Sequence, residues 1–215
     1  MKYAVVDLEM CKVPKIYKSS YNCNQETIQI GAVMLDEDYN IIDSFNTYVE
    51  PQYGQVDPFI QNLTGISQKD LIGAPSFEEA LGAFLDWLTA DDVRCVSWSG
   101  SDPGQLIHEY KEKGLYDDRF DIVIANWKDC QKTFSRLMEK NRAYSLEEAL
   151  IAADISQEGK AHDGFDDARN TALLFAKMEQ NEKLELNPIY EAARDEEVEH
   201  LGFSMGDLLA GIVIA

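Results

Sequence analysis

Apolar and polar positions along the chain repeat with two different periods. Residues 3–9, centred on Val5 and Val6, have the apolar density of a buried strand. Residues 27–35 (Thr-Ile-Gln-Ile-Gly-Ala-Val-Met-Leu) predict a second strand and residues 41–49 a third. Asp36-Glu37-Asp38-Tyr39-Asn40 between them is a turn, so the two strands form an antiparallel hairpin. From there the period changes. Ser76 with Glu79 is a capping box, and Ala80, Leu81, Phe84, Leu85 and Leu88 follow at helical spacing. Residues 93–98 read as a strand, 103–113 as a helix, and 121–127 (Asp-Ile-Val-Ile-Ala-Asn-Trp) as a further strand. Helices are expected over 129–139, 145–153 and 165–180, with Ser145 and Glu148 forming a second capping box. A hairpin followed by alternating strands and helices implies an α/β protein, a mixed sheet with helices on its faces.

Residues 1–180 form one expected domain. The remainder, 181–215, is an acidic extension. Seven acids (Glu182, Glu185, Glu191, Asp195, Glu196, Glu197, Glu199) face only Lys183 and Arg194 within 181–200. The stretch 189–201 is expected to be an acidic helix packed at the domain edge, with a partner-binding tail as the alternative.

Composition narrows the class. The chain has 215 residues, 45% of them hydrophobic, enough to bury a core without disulfide or metal. No apolar run reaches the roughly 18 residues of a membrane span. The apolar end, Leu208 to Ala215, is too short, and Asp7 and Glu9 interrupt any N-terminal signal peptide. Cys11, Cys23, Cys95 and Cys130 are scattered, the usage of a reduced cytoplasmic protein. Lys plus Arg number 19 against 39 acids, a net charge of −20, which argues against a large duplex nucleic-acid footprint.

The chemistry lies in a few carboxylates. Asp7 and Glu9 are two apart on a strand and leave it on the same face. Two acids at the end of a buried strand need a cation between them, unless the strand already ends in solvent. Asp102, before Pro103, fits a helix N-cap, and also the end of a sheet strand, where ligands bind. His162 precedes Asp166 and Asp167. On one continuous helix His162 and Asp167 would lie about 140° apart. They converge only if His162 is in the loop and Asp167 in the first helical turn, with Gly164 allowing the break. The two acids otherwise serve only the helix N-terminus.

In this order the sequence resembles the DEDDh 3′–5′ exonucleases, the DnaQ-like group on the RNase H-like fold. The segments are Val6-Asp7-Leu8-Glu9-Met10, Ser97 to Asp102, and His162-Asp163-Gly164-Phe165-Asp166-Asp167. The resemblance covers about residues 1–180 and implies a central mixed five-stranded sheet flanked by helices. Phe45 to Pro51 and Leu63-Thr64-Gly65-Ile66-Ser67 resemble the Eri-1-like branch, closest to bacterial KapD-like proteins because no SAP domain is present. Leu8-Glu9-Met10 and Asp166 to Arg169 also resemble oligoribonucleases, which digest very short RNA.

The resemblance implies two Mg²⁺ or Mn²⁺ ions held by Asp7, Glu9, Asp102 and Asp167. Asp7 would bridge both, Glu9 and Asp167 would hold the one at the attacking water, and Asp102 would help hold the second. His162 would be the general base. Oxygen ligands suit such hard cations, and an imidazole can take a proton at physiological pH. Substrate contacts are implied for Leu8, Met10 and His162, and for Leu63 and Thr64, although Leu63 reads first as core packing; Trp98 matches the family's aromatic before the second motif and also reads as core. The implied substrate is the 3′ end of single-stranded or short RNA or DNA. Lys12, Lys15 and Lys18, with Lys160 and Arg169, are a candidate basic rim. A regulatory protein that keeps the fold and binds a partner through the tail is the competing reading.

Overall fold

Alternation along the first strand decides the layers. The computed structural model describes residues 1–88, 92–138, 142–181 and 184–188. In it β1 (Lys2–Lys12) has Ala4, Val5 and Val6 wholly buried. Val5 faces one apolar core and Ala4, Val6 and Leu8 face another, because successive side chains leave opposite sides of a strand. β1 pairs antiparallel with β2 (Gln25–Leu35), which pairs antiparallel with β3 (Ile41–Tyr48). On its other edge β1 runs parallel to β4 (Val93–Ser97), and β5 (Lys128–Asp129) completes the order β3-β2-β1-β4-β5. The expected α/β architecture with a mixed five-stranded sheet is therefore present.

Seven α-helices are described: α1 (Pro58–Thr64), α2 (Phe77–Leu88), α3 (Ser101–Glu112), α4 (Asp118–Ala125), α5 (Cys130–Leu137), α6 (Leu146–Ala152) and α7 (Gly164–Gln180). α2 buries the stripe read from the sequence (Ala80, Leu81, Phe84, Leu85, Leu88) against Ala4, Val6 and Ile30. Phe134 of α5, Leu150 of α6 and Phe175 of α7 pack on the Val5 side. Both capping boxes form. Ser76 and Glu79 exchange hydrogen bonds, as do Ser145 and Glu148.

Two expectations need correction. Residues 121–127 are not a strand. Asp117 accepts the Arg119 N–H at 3.0 Å and caps α4. Phe120, Val123, Ile124 and Trp127 then repeat at helical spacing and enter the core, with Phe120 stacked on Tyr110 at 4.0 Å. The fifth strand is the two-residue β5 that follows. α1 was not expected, although Asp57 caps it, Pro58 opens it and left-handed Gly65 closes it.

The start of the extension packs on the domain. Leu184 is buried, Leu186 packs on the same core, and the Asn187 N–H donates to the Ala152 carbonyl at 2.9 Å. The expected helix 189–201 and the apolar 208–215 lie outside the described residues. All four cysteines are buried and free. Among the described residues no helix is long and apolar enough to cross a membrane.

Candidate active site

The site is built on β1 beyond the point where its parallel neighbour β4 leaves it, while β2 stays paired. Asp7 stands opposite Gly31 of β2, and Glu9 opposite Gln29. Both acids share the Val5 face, as two-residue spacing requires. A bulge between Glu9 and Met10 then shifts the register.

On the other edge the parallel ladder has its last rung at Val5 opposite Val96. The Leu8 N–H lies beyond that rung and donates to Asp102 Oδ1 at 3.2 Å. Asp102 is therefore not the cap of α3, as the Asp-Pro pattern suggested. Gly100 takes the cap position, and Asp102, 4% exposed, sits in the first turn with its carboxylate turned to β1.

The third element is the loop into α7. Asp163 caps the helix, its Oδ1 accepting the N–H groups of Phe165 (3.0 Å) and Asp166 (3.3 Å). His162 lies in the loop, exposed, and its backbone N–H donates to Asp167 Oδ2 at 2.9 Å. That is the expected convergence, but not through a break at Gly164. The left-handed residue is His162 itself, at φ 61°. Gly164 opens the helix and is small for another reason. A Cβ on Gly31 would lie 2.3 Å from its carbonyl carbon, so α7 touches β2 backbone to backbone.

The convergence has a measurable result. One ligand atom each from Glu9, His162 and Asp167 lie within 4.8 Å of one another. Asp7 and Asp102 join this group electrostatically. Burial holds Asp7 well above the usual carboxylate range, and the charges of Asp102, Glu9, Asp167 and Asp163 add to it. Glu9 is pushed up to about 8 by burial, then by Asp167, Asp163 and Asp102, with Lys160 opposing. Burial lifts Asp102 to about 6 against the hydrogen bond from Leu8. Asp167 is raised by burial, offset by the His162 N–H. A bare cluster of this kind keeps protons, and a divalent cation is the species that would replace them. The carboxylate oxygens fit a hard cation, and the imidazole stands beside them.

The expected substrate contacts divide. Leu8 is 4% exposed and packs in the core on the face opposite the acids. Met10 and Leu63 are half-buried. The buried Thr64 uses its hydroxyl within α1, donating to the Ile60 carbonyl and accepting from the Ile66 N–H. Its carbonyl accepts from Lys160 Nζ at 2.9 Å, which ties α1 to the α7 loop. Trp98 is core, its indole N–H donating to the Tyr144 carbonyl. The basic rim is largely engaged with the protein. Lys12 pairs with Asp57, Arg169 pairs with Glu158, and Lys18 donates to the Asn24 side chain and the Cys23 carbonyl.

Two site residues escaped the sequence reading. Asp163 lies close enough to raise Asp7, Glu9 and Asp167. Gln29 is wholly buried beside Glu9 and bonded to the α7 cap. Its signal was available, a lone amide inside the apolar run Ile28-Gln29-Ile30.

The model of the RNase T family, described as exonuclease, matches residues 4–175. ERI1 exoribonuclease 2 of Danio rerio is 31% identical over 185 residues, covering 75% of this chain and 33% of that protein. DNA polymerase III PolC-type of Caldanaerobacter subterraneus is 42% identical over 157 residues, covering 73% of this chain and 10% of the polymerase. The chain thus spans a third or less of the length of these relatives. Among solved structures, the nuclease domain of 3′hExo, a DEDDh family member bound to rAMP, superposes with a TM-score of 0.72. The identity is 22%, with 86% of this chain and 96% of that one covered. That likeness establishes the fold.

Proposed function

The chain belongs to the RNase T exonuclease family, and on that premise we propose that it hydrolyses phosphodiester bonds from the 3′ ends of single-stranded RNA or DNA. The observation that carries this reading is the meeting of Glu9, His162 and Asp167, brought from β1 and from the loop before α7 to within 4.8 Å. The two acids without an imidazole would make part of a cation site. An imidazole at their edge adds a group that can take a proton from water.

The proposed cofactor is a pair of Mg²⁺ or Mn²⁺ ions. Asp7, Glu9, Asp102 and Asp167 would hold them. Bound there, such ions stabilise charge on the attacking and leaving oxygens of an in-line displacement. The chain's own residues do the rest. His162 accepts the proton of the attacking water. The Leu8–Asp102 bond fixes one carboxylate against β1. The left-handed turn at His162 leaves that residue exposed beside Glu9 and Asp167.

Short or single-stranded ends suit the charge of −20 better than a long duplex. Met10 and Leu63, half-buried, are the proposed contacts to the terminal nucleoside. The KapD-like placement is proposed on the segments Phe45 to Pro51 and Leu63 to Ser67.

The test is a gel time course with 5′-labelled single-stranded RNA and DNA, with Mg²⁺, Mn²⁺ or EDTA, beside Asp7→Ala. A metal-dependent ladder shortening from the 3′ end, absent in the variant, is expected. No cleavage of any substrate with either metal would overturn the reading in favour of a binding protein.

A further inference from the structure

Gln29 is wholly buried in β2, directly across the ladder from Glu9. A buried amide between Ile28 and Ile30 is costly wherever one of its polar groups is left without a partner. None of its bonding capacity is spent inside its own strand. Gln29 Oε1 accepts the Gly164 N–H, the first of α7, at 3.0 Å. Gln29 Nε2 donates to Oδ1 of Asp163, the α7 cap, at 3.4 Å, and to Asn46 Oδ1 of β3 at 3.1 Å. One side chain thus grips both sides of the cap, a backbone donor and a carboxylate acceptor. The residues on either side of this grip are the functional ones. His162 immediately precedes Asp163, and Asp167 follows in the first turn, its N–H donating to the Asp163 carbonyl at 2.8 Å.

We infer that Gln29 is a positioning residue for the reaction: its amide sets the α7 cap, and through the cap His162 and Asp167, in register with Glu9 on the neighbouring strand. The inference rests on the exonuclease reading above. An amide is the group the place requires. A carboxylate could still accept from Gly164, but it would set a second negative charge against Asp163. An apolar side chain of the same length would leave the Gly164 N–H and the Asp163 carboxylate without this partner. The left-handed turn at His162 makes the grip necessary, because a non-glycine residue at φ 61° holds that conformation only when its surroundings impose it.

The polarity of the pair can be reversed. In Gln29→Glu the donor is lost. In the double variant Gln29→Glu with Asp163→Asn, the new amide donates to the new carboxylate, and asparagine still caps the helix. Three proteins, wild type, the single and the double variant, are compared by Mn²⁺ binding in electron paramagnetic resonance and by kcat and KM on 5′-labelled single-stranded RNA. Gln29→Glu is expected to weaken Mn²⁺ binding and lower kcat by about 10–100-fold, the range for residues that orient metal ligands, with KM within about threefold. The double variant is expected to recover most of both. Wild-type Mn²⁺ binding and kcat in Gln29→Glu, or a double variant as impaired as the single, would overturn the inference. If Gln29→Glu does not fold, Gln29→Met is measured the same way, and wild-type values there overturn it equally. Absence of hydrolysis by the wild-type protein refutes the exonuclease reading instead, and the Mn²⁺ arm still decides the role of Gln29.

Discussion

Gly31 and Gly164 meet backbone to backbone, so closely that a Cβ on Gly31 would fall 2.3 Å from the Gly164 carbonyl carbon and the Phe165 nitrogen. The contact brings the first turn of α7, with Asp167, down onto the strand that neighbours Asp7 and Glu9. Gly31→Ala must push the helix away, since the atoms it meets are backbone. The expected cost is about 1–3 kcal/mol of stability, the range for overpacking a core, with a loss of kcat of more than about 100-fold because a shift near 1 Å is enough for that. Urea unfolding and single-substrate kinetics on the same preparation check both.

Metal-free stability should depend on pH with a definite sign. Glu9 is pushed up to about 8 and Asp102 to about 6, both above their unfolded values. The folded protein therefore binds more protons than the unfolded chain between about pH 4 and 8. This contribution is complete below the unfolded values and is lost as pH rises through the folded ones. The thermal midpoint without metal should fall by roughly 5–10 °C between pH 5.5 and 8.5, a change of a few kcal/mol for a chain of this size. Added Mn²⁺ should raise it more at pH 8.5 than at pH 5.5, because protons no longer compete for the carboxylates. Scanning calorimetry at the four conditions tests this.

Asp102 has two roles that substitution can separate. Asp102→Asn keeps an oxygen for the Leu8 N–H and removes a charge from a crowded site. It should fold, melt higher than wild type without metal at pH 8, and lose at least about 100-fold in kcat. Asp102→Ala also leaves the Leu8 N–H without its partner, so it should be about 1–3 kcal/mol less stable than Asp102→Asn. A comparison of the two melting curves decides the point.

A buried ion pair lies away from the site acids, and its expected role is stability. Lys113 Nζ lies 2.7 Å from Oε1 of Glu26, whose side chain is wholly buried and whose other oxygen accepts the Tyr53 and Gly54 N–H groups. Lys113→Met strands that carboxylate and should cost about 3–5 kcal/mol. The activity of the folded fraction should stay within about twofold of wild type.

The sequence exposed what local spacing controls. Asp7 and Glu9 share a face because strands alternate, and both capping boxes formed where Ser-x-x-Glu stood. His162 and Asp167 converge through the loop-then-helix geometry that their spacing demanded, although the strained residue is His162 and not Gly164. What remained hidden depends on partners far along the chain. Asp102 reads as a cap until Leu8, 94 residues away, claims its carboxylate. Gln29 finds its partners 134 and 135 residues away. Residues 121–127 have enough β-branched character to read as a strand, and only the Asp117 cap and the spacing of Phe120, Val123, Ile124 and Trp127 make them helical.

The central claim is hydrolysis at a 3′ end by the Asp7, Glu9, Asp102, His162, Asp167 constellation. Its most direct test is mass spectrometry of the first product released from a short single-stranded oligonucleotide, with Mg²⁺ in ¹⁸O-labelled water. The expected product is the 3′-terminal nucleoside 5′-monophosphate carrying one ¹⁸O on phosphorus, formed by the wild type and not by Asp167→Asn. Release of a 3′-phosphate or cyclic phosphate, of a nucleotide from the 5′ end, or of the same product by the variant would contradict it.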